Sequence, residues 1–149
     1  PRQPSRKGAC TNNEKLNSTV LDTLFISDFL TDEEHQLAFP VEMRRYDQNS
    51  QGMRTHVDTT MFSPPQLEAV LTVNNSDNCT KFVWTDKDSN THSLQPQKGD
   101  LMYVLAGKTP HEVTPLCDGR RDIIKFATAD KNSSPKEEFI NELAACPTI

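Results

Sequence analysis

Beyond Pro40 the chain is built of short β-capable runs, at 41–46, 54–61, 67–73, 80–85, 91–95, 100–105, 111–114 and 121–128. Polar turn chemistry separates them, as in Gln48 to Gly52, Asn74 to Asn78, Asp86 to Asn90, Gln97 to Gly99 and Leu116 to Gly119. None of these runs is long enough to be a stable helix, and eight strands at such regular spacing predict a β-sandwich or barrel. At 149 residues the chain has the length of one domain.

The flanks read differently. Residues 1–17 are polar and aperiodic and are expected to form a flexible lead-in, leaving 18–149 as the domain. Residues 20–26 can form a strand. Thr31 is a natural N-cap, and Asp32, Glu33 and Glu34 suit the positive end of a helix dipole, so a short helix is expected over about 32–39, stopped by Pro40. Near the other end, Ser134-Pro135 followed by Glu137, Glu138, Phe139, Ile140 and Leu143 predicts a short amphipathic helix over 134–143. The chain starts at Pro1 rather than Met, which is expected where an upstream part has been removed.

Sixteen basic residues against 21 acidic ones give a net charge of −5. That removes the electrostatic attraction on which nucleic-acid binding rests, and no apolar run approaches the ~20 residues that span a bilayer. Neither nucleic acid nor membrane is an expected partner. Cys10, Cys79, Cys117 and Cys146 lack zinc-finger spacing. They permit two disulfides in any of three connectivities, Cys10 with Cys146 being one plausible staple, and buried free thiols explain the count equally well. Sequons stand at Asn17, Asn74, Asn78 and Asn132; they carry weight only in a secretory compartment, and nothing in the sequence assigns one.

Two of the four histidines sit in chemically suggestive company: Thr55-His56-Val57-Asp58, and Pro110-His111-Glu112-Val113-Thr114-Pro115. Side chains two apart on a strand share a face, so His56 and Asp58 can reach one point, and His111 would complete two imidazoles and a carboxylate. This is the ligand set of non-haem iron(II) oxygenases, which leaves other metal positions open. Ten residues after His111, Arg121 stands at the head of a strand. An inward arginine needs an anion, and its planar fork matches a carboxylate; Arg120, one residue earlier, would take its place if the strand register shifted by one. Lys125 shares the face of Arg121 on a regular strand, where it is either a second anion contact or part of the strand running out to solvent, the latter being expected. His35 and His92 are expected to face solvent, and Trp84 to pack in the core or at an edge.

These segments, in this order, resemble the 2-oxoglutarate and iron(II)-dependent oxygenases, in particular the prolyl 4-hydroxylase-like branch. Leu24 to Glu34 resembles the segment that opens the domain in that branch, and Tyr46 to Asp58 its tyrosine, glycine and His-x-Asp run. Pro110 to Pro115, followed by Gly119 and Arg121, resembles its second-histidine motif and co-substrate arginine. The resemblance covers roughly 24–143 and is nearest to the oxygen-sensing prolyl hydroxylases, since the collagen-type enzymes carry lysine where Arg121 stands. It implies a double-stranded β-helix, or jelly roll, of eight strands, mainly β, with the short N-terminal and C-terminal helices. It implies iron(II) held by His56, Asp58 and His111, and 2-oxoglutarate gripped by Arg121, with Tyr46 lining that pocket and Val113 packing on the co-substrate chain. The implied activity is hydroxylation of a prolyl residue in a peptide or protein, with release of succinate and carbon dioxide and with ascorbate in support.

The sequence departs from that branch in three places. Leu71-Thr72-Val73-Asn74-Asn75 stands where a Tyr-Leu-Asn-like run is usual, so a tyrosine hydroxyl that helps hold the co-substrate is missing and Thr72 is the shorter residue in its place. Asp77-Asn78-Cys79-Thr80 replaces a Gly-Gly, and a single short helix precedes the strands. These departures motivate a second reading, a non-catalytic jelly-roll binding module that retains a metal site.

Overall fold

The computed structural model describes residues 7–11, 35–38 and 41–141. Among them are β1 (Lys7–Thr11), β2 (His35–Leu37), β3 (Val41–Asp47), β4 (Met53–His56), β5 (Phe62–Ser63) and β6 (Leu67–Asn75). There follow β7 (Phe82–Thr85), β8 (Thr91–Leu94), β9 (Leu101–Leu105), β10 (His111–Val113), β11 (Arg120–Asp130) and β12 (Ser134–Pro135). The large sheet runs β1-β3-β11-β6-β9, and the facing sheet runs β4-β10-β7-β8. Every pairing is antiparallel. The molecule is mainly β, and its two sheets line one cavity as in a jelly roll, as the spacing and the resemblance led us to expect.

Strand alternation sorts the large sheet into two chemically distinct faces. Ile123 on β11 lies opposite Arg44 on β3 and Thr72 on β6, and Lys125 opposite Glu42 and Val70, so these residues share the cavity side. The other side carries Val41, Ala69 and Phe126 as a buried apolar cluster, with Leu101, Tyr103 and Ile124 packed against it. Phe126 is 1% exposed. Burying a phenylalanine contributes about 2–3 kcal/mol, so this cluster anchors the sheet while leaving its opposite face free for polar chemistry.

Four expectations are corrected. Residues 35–37, assigned to the N-terminal helix, form β2, which pairs with β11 through Thr128↔Leu37 and Asp130↔His35. The pairing of β3 with β11 ends at Lys125, so the edge of β11 beyond it is open. Backbone pairing along that edge overrides the weak local helix signal; residues 20–34 lie outside the described residues. Within the expected lead-in, Lys7–Thr11 forms an edge strand on β3, which a polar sequence can do because the ladder needs only backbone groups. The run expected over 54–61 stops at His56. At the C-terminus, Ser134 and Pro135 pair with β5, and the Lys136 N–H donates to the Met61 carbonyl at 2.9 Å. This pairing takes residues 134–135 out of the helix expected over 134–143, which starts only at Glu137 with a 3-10 turn over Glu137–Phe139 and is helical at 140–141; residues 142–143 lie outside the described residues.

Gly52 shows how tightly the smaller sheet closes. Its φ is +67°, and a Cβ there would lie 2.1 Å from the Val113 carbonyl oxygen and 2.7 Å from the Thr114 carbonyl carbon. Both are backbone atoms and have little room to move. Gly52→Ala is therefore expected to cost about 2–4 kcal/mol in urea unfolding, from left-handed strain plus displacement of β10. An unchanged midpoint would contradict this packing.

Candidate metal centre and anion pocket

His56 ends β4 and His111 begins β10, and the two lie directly opposite in the antiparallel register. Their ring centroids are 4.4 Å apart. In each ring Nδ1 faces a backbone carbonyl two residues back: Arg54 O at 2.8 Å for His56 and Thr109 O at 2.9 Å for His111. A carbonyl only accepts, so in the neutral imidazole Nδ1 carries the proton and Nε2 is left with its lone pair. Asp58 follows in the loop after β4, with Oδ1 3.6 Å from His56 Nε2 and Oδ2 3.4 Å from His111 Nε2. The candidate ligand atoms all lie within 4.8 Å of one another. His56 Nε2 is buried with no hydrogen-bond partner. A buried lone pair left over in this way is costly, and a divalent metal would satisfy it. The residues present therefore fit a metal held by two histidines and one carboxylate.

Arg121 faces the same cavity. It is 3% exposed, and its Nε and Nη2 have no hydrogen-bond partner. Burial pulls the guanidinium below its ordinary value, against the opposing fields of Tyr46 and Asp77; it stays cationic regardless. Arg120 points outward, exposed, and pairs with Asp122 at 3.0 Å, which settles the register in favour of Arg121. Tyr46, half-buried, stands opposite Arg121 in the β3–β11 ladder, and Tyr46 and Val113 both line the cavity.

Lys125 does not run out to solvent. It faces the cavity with Nζ 3.2 Å from Glu68 Oε2. Arg44, unnoticed in the sequence, also lines it, donating from Nε to Glu42 Oε2 at 2.6 Å. Burial works against its charge, but Glu42 and Tyr46 outweigh that and raise its pKa. The period-2 set Glu42, Arg44, Tyr46 was the available signal. Thr72, on the same face of β6 as Val70, is fully buried opposite Ile123. Trp84 lies between His111 and His92 in the smaller sheet, stacked on Phe82 and His92, in keeping with a packing role. His92 is largely solvent-facing, with Nε2 2.7 Å from Asp86.

Cys79 and Cys117 form a disulfide across 38 residues. A Cys10–Cys146 pairing lies outside the described residues. Beside the disulfide, the Asp77 carboxylate accepts from the N–H groups of Thr80, Cys79, Cys117 and Asp118. Burial pushes its pKa up, but the N–H groups of Thr80, Asp118 and Cys117 outweigh burial and bring it to about 2. Because the folded value is depressed, the stabilisation is complete above the unfolded value near ~4 and is lost as pH falls towards 2. Urea midpoints of the wild type should accordingly fall more steeply than those of Asp77→Asn between about pH 4 and 2; parallel curves would contradict the assignment.

No protein-family model and no curated protein matches the sequence. Solved structures do match its fold. A Pseudomonas putida prolyl-4-hydroxylase aligns with a TM-score of 0.57 at 19% identity, over 89% of this chain and 77% of that one. A Trichoplax adhaerens prolyl hydroxylase, solved with a hypoxia-inducible-factor degradation-domain peptide, aligns at 0.61 and 17%, over 85% and 64%. A Burkholderia pseudomallei 2OG-Fe(II) oxygenase aligns at 0.61 and 18%, over 75% of this chain and only 55% of that one. The fold is that of the 2-oxoglutarate/iron(II)-dependent oxygenases. The non-haem α-ketoglutarate-dependent epimerase SnoN, at 0.70 and 12% identity, has it too, so the fold leaves the reaction open. Among the described residues no helix is long and apolar enough to cross a membrane.

Proposed function

We propose that the protein is an Fe(II)- and 2-oxoglutarate-dependent dioxygenase that hydroxylates a prolyl residue in a peptide or protein, releasing succinate and carbon dioxide. The observation that carries this reading is Arg121, a buried guanidinium with unmatched N–H groups, in the cavity that also holds His56, Asp58 and His111. Arg44 is neutralised by Glu42 and Lys125 by Glu68. Among the described residues Arg121 is thus the lining cation free to take a carboxylate, and a 2-oxo diacid offers one at each end, one for the arginine and one for the metal.

His56, Asp58 and His111 would hold iron, which when bound supplies activation of dioxygen. The remaining work belongs to the chain. Arg121 orients the co-substrate through its distal carboxylate, Tyr46 borders that carboxylate, and Val113 and Val70 keep the cavity wall apolar. The carbonyls of Arg54 and Thr109 fix both imidazoles with Nε2 inward. Prolyl substrates are supported by the hydroxylase neighbours and by the peptide seated in one of them. A proline-containing peptide incubated with iron, ascorbate and 2-oxoglutarate should gain the mass of one oxygen atom. If free proline reacts as efficiently as every peptide tried, the peptide assignment is wrong; if nothing is oxidised while metal and 2-oxoglutarate still bind, the protein is a binding module.

A further inference from the structure

Resting on the metal-centre reading, we propose that Gln66 is the positioning residue for the Asp58 carboxylate. Because β4 stops at His56, no strand ladder fixes Asp58 beside the two histidines. The Gln66 side chain takes over that task. It is fully buried, and Oε1 accepts from the N–H groups of Met61 at 3.1 Å and Phe62 at 3.3 Å. Nε2 donates to the Thr59 carbonyl at 2.9 Å and to Glu68 Oε1 at 3.0 Å. Two donors and two acceptor sites are all an amide has, so the group is saturated. Three of its four bonds reach the backbone that follows Asp58, and the fourth ties it to Glu68, which Lys125 holds from the central strand β11.

The same loop is gripped from its other side. The Gly107 N–H donates to the Asp58 carbonyl at 2.9 Å. Gly107 has φ +77°, and a Cβ there would fall 2.2 Å from Thr60 Oγ1, so the turn after β9 sits directly on this loop. The backbone of Gln66 is tied to that turn as well, through the Ala106 N–H at 3.1 Å. Residues 58–62 are therefore clamped between the side chain of Gln66, just ahead of β6, and the β9–β10 turn, and the direction of the carboxylate follows from the clamp.

The test is Co(II) binding to the full-length apo-protein, read by affinity and by the visible absorption of the bound ion. Folding is followed separately by circular dichroism and urea. Gln66→Met keeps the length and removes all four bonds; it should weaken Co(II) binding about 10–100-fold and alter the spectrum. Gly107→Ala, acting on Thr60 from the opposite side, should weaken it too. Asp100→Ala, which removes the side-chain bond to the Gln97 N–H in the β8–β9 turn and lies outside the cavity lining, should leave affinity and spectrum as in the wild type; an equal loss there would reduce the effect to general stability and overturn the proposal. So would folded Gln66→Met and Gly107→Ala proteins that bind Co(II) within about twofold of wild type with its spectrum. Should Gln66→Met not fold, Gln66→Glu is judged by the same criterion. A wild type that binds no Co(II) would overturn the metal-centre reading itself, a different result from normal wild-type binding with unaffected variants.

Discussion

Replacing His111 by alanine is expected to abolish stoichiometric binding of a divalent metal. The mutation removes one of the three groups that converge on a common point, and the most buried of them, with 8% of its side chain exposed. The two remaining groups, His56 and Asp58, belong to one short segment and hold a metal from one side only, so little affinity should survive. Metal analysis after dialysis gives the answer, with circular dichroism to confirm the fold. One bound ion per chain in a folded His111→Ala protein would remove His111 from the site.

Arg121→Ala is expected to weaken 2-oxoglutarate binding by about 3 kcal/mol or more, over a hundredfold in Kd, because a buried carboxylate would lose a charged bidentate partner. Arg120→Ala should change it little, since that side chain is exposed and pairs with Asp122. Arg121→Lys should recover only part of the loss, keeping the charge without the planar fork. Calorimetry on the metal-loaded proteins distinguishes the three. The assignment fails if the Arg120 variant is the damaged one, or if 2-oxobutyrate, which has no distal carboxylate, suffers the same loss with Arg121→Ala as 2-oxoglutarate does.

Much of this was legible because strand chemistry repeats every two residues. The runs that became β3, β6, β7, β8, β9, β10 and β11 can be bounded from turn residues alone to within a few positions. The site was legible where the resemblance reached it on a regular strand: Arg121 and Tyr46 share a face because the β3–β11 register sets them opposite one another. Asp58 shows where such reasoning reached the right neighbour for the wrong reason. It meets His56 and His111 from a loop held by long-range hydrogen bonds of Gln66, which no local pattern encodes. Lys125 was misread since its partner, Glu68, lies 57 positions away, on another strand. The segment 35–37 was misread because the competing interaction, an open edge on β11, exists only in the assembled sheet. Local signals decide a segment only where no stronger tertiary partner is available to it.

The central claim is that one cavity holds both a metal site and a receptor for a 2-oxo diacid, and that the two work together. Succinate release from 2-oxoglutarate, with iron(II), ascorbate and a proline-containing peptide, measured side by side for the wild type, His111→Ala and Arg121→Ala, tests it most directly. The wild type should form succinate in an iron-dependent way, His111→Ala should form none, and Arg121→Ala should form it only at greatly raised 2-oxoglutarate. Iron-dependent succinate release at wild-type rates by either variant, or its absence from a folded, iron-loaded wild type with every peptide offered, would contradict the account.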